Sequence, residues 1–193
     1  MSTFIGNIEA RADEKGRIFV PAAYRKILNE AESKHLVMRR DTDNECLIFY
    51  PEQVWNDKVG QLRQALDEWD PEDQMLLMQF MSDAEFLDLD TQGRILLQKK
   101  NLETINAQQD VLFVGMLDRF ALWNPATFAD KRIDQKDLAS RIRQKMKAKT
   151  KFDATPAMLT KKLSLFIFLK LKGLTGTGFA QPKPKSKIEA APK

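Results

Sequence analysis

Two rhythms of apolar and polar positions alternate along the chain. Short runs rich in β-branched and aromatic residues, separated by polar turns, occupy residues 3–51 and again 81–125; this pattern predicts strands. The first block reads as a strand from Ile8 to Ala12, a turn at Asp13-Glu14-Lys15-Gly16 and a strand over Ile18-Phe19-Val20. A short helix over Ala22–Asn29 follows, with Pro21 at its entry, where a missing N–H costs nothing. A strand Leu36–Arg40, a polar turn at Asp41-Thr42-Asp43-Asn44 and a strand Cys46–Tyr50 complete the block. The second block runs in the same order, with a short helix near Asn101, a strand Val111–Gly115, a turn at Leu117-Asp118 and a strand Arg119–Trp123.

The rhythm changes to one of three or four residues between the blocks. Val54, Trp55, Val59, Leu62, Leu66 and Trp69 share that spacing and predict a helix starting at Glu52. Asp70-Pro71-Glu72-Asp73 reads as a second helix start, with Asp70 as N-cap, leading into Gln74–Met81. Residues 52–80 are therefore expected to be bridging helices. Asn124-Pro125 opens a third helix, expected over residues 126–145. The predicted fold class is mainly β with short helices (α+β), built as a tandem.

The tandem is visible in the residues themselves. Asp13-Glu14-Lys15-Gly16-Arg17-Ile18 returns as Asp90-Thr91-Gln92-Gly93-Arg94-Ile95, 77 residues later. Cys46-Leu47-Ile48-Phe49-Tyr50-Pro51 returns as Phe120-Ala121-Leu122-Trp123-Asn124-Pro125, 74 residues later. Two blocks in the same order at nearly equal offsets mark an internal repeat.

Charge refines this picture. The 193 residues carry 31 Lys+Arg and 27 Asp+Glu, a net charge of +4. Residues 146–193 hold 11 of the basic and 2 of the acidic side chains, so the double repeat is mildly acidic and the tail basic. Lysine, glycine and proline dominate that tail, which is expected to be largely disordered with one ordered stretch at Leu159–Leu174. Cys46 and His35 are single copies. They exclude an intrachain disulfide and a His/Cys zinc site within one chain, and fit a reducing cytoplasm. The longest apolar run, Leu165–Leu169, is far short of the roughly 20 residues of a bilayer span. No signal peptide is read at the N-terminus, and no phosphate loop, nucleophile elbow or metal-ligand spacing is present, so neither a cofactor nor a small-molecule substrate is expected.

The repeated motif carries the remaining chemistry. An aspartate at a turn accepts hydrogen bonds from N–H groups two or more residues on. Gly16 and Gly93 relieve the tight backbone. Asp13, Gly16, Asp90 and Gly93 are thus read as turn-structuring. Arg17 leaves its turn on a rigid hairpin, where it can pair with Asp13 or reach outward to phosphate or guanine. The residues alone leave both readings open, with the plain ion pair favoured. Cys46 reads as a buried small hydrophobe, His35 as a surface or strand-entry residue, Trp55, Trp69 and Trp123 as packing anchors, and the aspartates at 67, 70, 73, 88 and 90 as helix-start and turn residues.

Two copies of Asp-x-x-Gly-Arg-Ile, each opening a strand–helix–strand unit, resemble the MraZ family. The resemblance covers roughly residues 3–130. Phe4, Gly6, Asp13, Lys15, Gly16, Arg17, Ile18, Pro21, Arg25 and Leu28 carry it in the first copy; Ala84-Glu85, Asp90, Gln92, Gly93, Arg94, Ile95, Val114-Gly115, Asp118-Arg119 and Trp123 carry it in the second. Gln98 stands where the family pattern has a proline, Gln98–Leu102 reads as holding one extra residue before the helix, and nothing matches Arg25 in the second copy. The resemblance implies a pseudo-symmetric double-psi, swapped-hairpin β-barrel of AbrB type. It also implies that Lys15, Arg17 and Arg94 bind double-stranded DNA, and that the protein is a non-enzymatic transcriptional regulator. Such a regulator would repress its own cell-division and cell-wall gene cluster from repeated promoter elements, as a ring-shaped homo-oligomer in the cytoplasm and nucleoid. The alternative is an antitoxin-like or other protein-binding module whose tail wraps a partner protein.

Overall fold

A computed structural model describes residues 3–33 and 35–149. These fall into two compact units that divide between Arg132 and Ile133.

The first unit is α+β. Strands β1 (Asn7–Arg11) and β2 (Arg17–Phe19) flank the first turn, and helix α1 (Ala22–Glu30) follows behind Pro21. Strands β3 (His35–Arg40) and β4 (Cys46–Pro51) form a hairpin. Helices α2 (Glu52–Ala65) and α3 (Pro71–Ser82) bridge to β5 (Ala84–Asp88) and β6 (Arg94–Leu96). Helix α4 (Lys99–Thr104), the hairpin β7 (Asp110–Met116) and β8 (Arg119–Trp123), and α5 (Pro125–Lys131) complete the unit. Asn124 caps α5, its side-chain oxygen accepting the N–H groups of Ala126 and Thr127.

The ladders exchange strands between the repeats. Six strands form one antiparallel sheet in the order β1-β7-β8-β4-β3-β5, and β2 pairs with β6 in a separate two-stranded ribbon. The first strand of each repeat thus joins the third strand of the other: β1 lies on β7 and β5 on β3. A pseudo-twofold runs through the centre. The offset of 77 converts Ile18 into Ile95, its direct partner in the ribbon. The offset of 74 converts Cys46 into Phe120 and Phe49 into Trp123, and the pairs Cys46↔Trp123 and Phe49↔Phe120 map onto each other. The ladders end at β1 and β5 and do not close into a full barrel.

Two apolar clusters line the faces of the sheet. One is aromatic at its centre: the Phe120 ring stacks on Phe49 at 5.1 Å and also meets Phe4, Tyr24 and Phe113 at 5.2, 5.3 and 5.7 Å. Ile18 and Ile95 reach this cluster from the ribbon, which fastens the ribbon to the sheet. The other gathers Val37, Ile48, Tyr50, Trp55 and Trp123 under α2, with Phe80 of α3 stacked on Trp55 at 5.5 Å.

Several expectations need correction. Helix α4 starts 77 residues after α1, so there is no extra residue ahead of it. The difference lies in length, since α1 has 9 residues and α4 has 6. Helix α2 stops at Ala65 because Leu66 is extended, and Trp69 beyond it is 87% exposed, so among the described residues it is not a packing anchor. Asp70 makes no side-chain cap; Pro71 sets the first turn, and the Asp73 carboxylate instead accepts the N–H of Asp67. The single helix expected over 126–145 is two. Arg132 is extended, and the Asp134 side chain accepts the N–H of Lys136 and starts a new helix over 135–149. That helix continues through residues 146–149, assigned above to the tail. The rest of the tail, including Leu159–Leu174, lies outside the described residues.

Candidate nucleic-acid interface

The two repeated turns have the same construction. Asp13 Oδ1 accepts the backbone N–H groups of Lys15 and Arg17, both at 2.9 Å, and Oδ2 accepts Arg17 Nε at 2.6 Å. Asp90 Oδ1 accepts the N–H groups of Gln92 and Arg94 at 2.9 Å, and Oδ2 accepts Arg94 Nε at 2.7 Å. Gly16 and Gly93 close the turns at φ +81° and +77°, and each N–H returns to the aspartate carbonyl. Their own carbonyls accept from the opposite repeat: Leu97 N–H donates to Gly16 and Val20 N–H to Gly93. Each turn is thereby stitched to its counterpart.

These bonds hold both carboxyls below their ordinary value. The largest cause is the backbone N–H of Arg17 for Asp13 and of Arg94 for Asp90. A depressed folded value stabilises the fold above the unfolded carboxylate's pKa, and that contribution is lost as pH falls through the folded value. The turns are therefore expected to stay formed at pH 5. The amide proton shifts of Lys15 and Arg17 should titrate with a midpoint below that of a free aspartate; a midpoint at or above it would contradict the bonding described.

The ribbon sorts its side chains by strand alternation. Ile18 and Ile95 point inward and are fully buried, while Arg17, Phe19, Arg94 and Leu96 form the outward face. The Arg17 side chain is 37% exposed and that of Arg94 only 20%. The Arg94 guanidinium sits 5.5 Å from the Phe19 ring centre as well as on Asp90. Both arginines therefore form the intramolecular ion pair that the residues alone favoured. That pair engages Nε, one of several guanidinium donors. Lys15 is exposed at the first turn, and Gln92 takes its place in the second.

Arg25 is a neighbour that the sequence did not reveal. It lies in α1, yet its Nη1 is 3.5 Å from the Gln92 carbonyl and its chain covers Gly93. The second turn thus has two arginines beside it. The signal was present only as a family match, because the contact spans 67 residues of sequence. His35 pairs with Asp88, the residue directly opposite it on β5. The pseudo-equivalent position on β1 and β7 holds Arg11 and Asp110, with the charges exchanged. Cys46 is buried, and desolvation pushes its thiol up to about 12. Among the described residues no group of three or more His, Cys, Asp or Glu is placed to hold a metal, and no helix is long and apolar enough to cross a membrane.

Comparison with known proteins fixes the family. The model described as "MraZ protein, putative antitoxin-like" matches residues 3–78 and 80–152, well over half of the chain. The chain belongs to the MraZ family. A protein named transcriptional regulator MraZ from Bacteroides fragilis is 43% identical over 123 residues, covering 64% of this chain and 78% of the relative. The MraZ of Phocaeicola vulgatus is 45% identical over 121 residues, covering 63% and 79%. That of Syntrophobacter fumaroxidans is 35% identical over 125 residues, covering 65% and 81%. These homologues support a transcriptional regulator, and none of their names is that of an enzyme.

Proposed function

We propose that the protein is a sequence-specific regulator that binds double-stranded DNA through the β2–β6 ribbon and its two turns. On this reading it acts as a homo-oligomer on repeated promoter elements and represses its own cell-division and cell-wall gene cluster. The observation that carries the reading is the pair of twofold-related arginines, Arg17 and Arg94, on one ribbon locked at both ends by aspartate-centred turns. Fixed donors suit base and phosphate contacts, because little side-chain freedom is lost on binding. Lys15 extends the first turn as a phosphate contact. Asp13 and Asp90 orient the arginines and would themselves repel phosphate.

One protomer presents few such contacts, and affinity for duplex DNA depends on how many phosphates are neutralised. Oligomerisation multiplies them through effective concentration. Helix α3 supports self-association. It has no buried residue, and Met75, Leu76 and Met78 are each about half exposed along it. Large apolar side chains left exposed close together on one helix favour an interaction surface there.

Arg17→Ala is expected to weaken duplex binding by about tenfold or more in a mobility-shift titration. Thermal melting of the variant would show that the fold survives. Unchanged affinity across salt concentrations would remove Arg17 from the interface.

A further inference from the structure

Two apolar side chains stand in the open on the outward face of the ribbon. Phe19 is 54% exposed and Leu96 56%, and the offset of 77 relates them. Alternation along a strand decides which positions face outward but does not require those positions to be apolar; solvated strand faces are ordinarily polar. The register places Leu96 opposite Arg17 and Phe19 opposite Arg94. The outward face is therefore a two-by-two checkerboard of guanidinium and hydrocarbon, repeated by the twofold, on a base held by Ile18 and Ile95.

We propose that Phe19 and Leu96 are specificity residues that contact the C5-methyl groups of thymine in the major groove, beside the two arginines. This rests on the DNA-binding reading above. The major groove admits a two-stranded ribbon, and thymine alone among the four bases presents an apolar group there. Apolar side chains recognise that methyl, while arginine recognises guanine or phosphate. A checkerboard of the two side-chain types thus reads two chemistries along one groove. The turns fix its spacing, since each aspartate ties its arginine and each glycine carbonyl ties the opposite strand. A second copy of the chain suits this face poorly, because its two hydrocarbon groups are separated by guanidinium groups. The exposed Met75, Leu76 and Met78 of helix α3 are a better candidate for a copy-to-copy contact.

The test uses the full-length protein and a duplex selected by it from a random pool. The same duplex is then resynthesised with deoxyuridine in place of thymidine, which removes only the C5-methyl groups. The unmodified protein should bind the thymidine duplex about fourfold more tightly for each methyl covered. The double variant Phe19→Ala, Leu96→Ala should bind both duplexes equally, with the affinity the unmodified protein shows for the deoxyuridine duplex. An unmodified protein that binds DNA without discriminating the two duplexes would overturn the proposal and leave the DNA reading intact. So would a variant that keeps the full discrimination. A variant whose mass by light scattering changes without DNA would reassign the two side chains to contacts between copies. If selection yields no bound duplex, the DNA reading itself fails and this inference with it.

Discussion

Phe120→Ala should lower the unfolding free energy by about 3–5 kcal/mol, enough to leave a domain of this size barely folded. Phe120 is fully buried and its ring meets those of Phe4, Tyr24, Phe49 and Phe113. The partners come from the segment ahead of β1, α1, β4 and β7, which approach from different directions and cannot all collapse into the space left behind. The deletion thus removes transfer free energy and leaves a cavity as well. Phe120→Leu keeps most of the volume and should cost distinctly less. Urea unfolding followed by tryptophan fluorescence gives the comparison. Equal losses for leucine and alanine would mean that ring packing is not what the site supplies.

Gly16→Ala should cost about 3 kcal/mol, combining left-handed backbone strain with a collision. At φ +81° a Cβ on residue 16 would lie 2.1 Å from the Leu97 carbonyl oxygen. That oxygen is backbone, so relief requires β6 to shift, and the Leu97 N–H bond to the Gly16 carbonyl shifts with it. The same change at Gly93 first meets the side chain of Arg25, 2.4 Å away at Cδ, which can rotate aside. Gly93→Ala should therefore be the milder substitution although its φ is nearly the same. Thermal melts of the two variants settle the order. If Gly93→Ala is as damaging as Gly16→Ala, strain alone governs both turns.

Much of this was legible in the sequence, and the gaps have physical causes. The repeated Asp-x-x-Gly-Arg-Ile located both turns because each element of the turn demands a particular residue type: an acceptor at the start, glycine where φ is positive, a β-branched residue where the strand turns inward. Strand exchange was not legible in the apolar pattern. Alternation in β1 and β5 says that one face is covered but not by which strand, and only the family resemblance implied the swap. Trp69 was misplaced because three-to-four spacing continues past Ala65 while the backbone does not; the turn beyond Ala65 is held by Asp67, which accepts the N–H of Trp69, and by Asp73, which accepts the N–H of Asp67 six residues back. The contact of Arg25 with the second turn was not legible because that turn lies in the other repeat. The ion pairs at Arg17 and Arg94 engage Nε, and the binding role proposed for these arginines works through their other donors.

Strand exchange also bears on how the chain is made. Strand β1 lies at residues 7–11, and its ladder partner spans residues 110–114. The first 114 residues must leave the ribosome before that ladder can close. Until then β1 is an unpaired edge, and the cavity awaiting Phe120 has no ring to fill it. Such distant pairing slows folding, since a long loop must be ordered before any contact rewards it. Nascent first repeats on neighbouring ribosomes could meanwhile pair with one another, and dilution or rapid elongation should favour the intramolecular match.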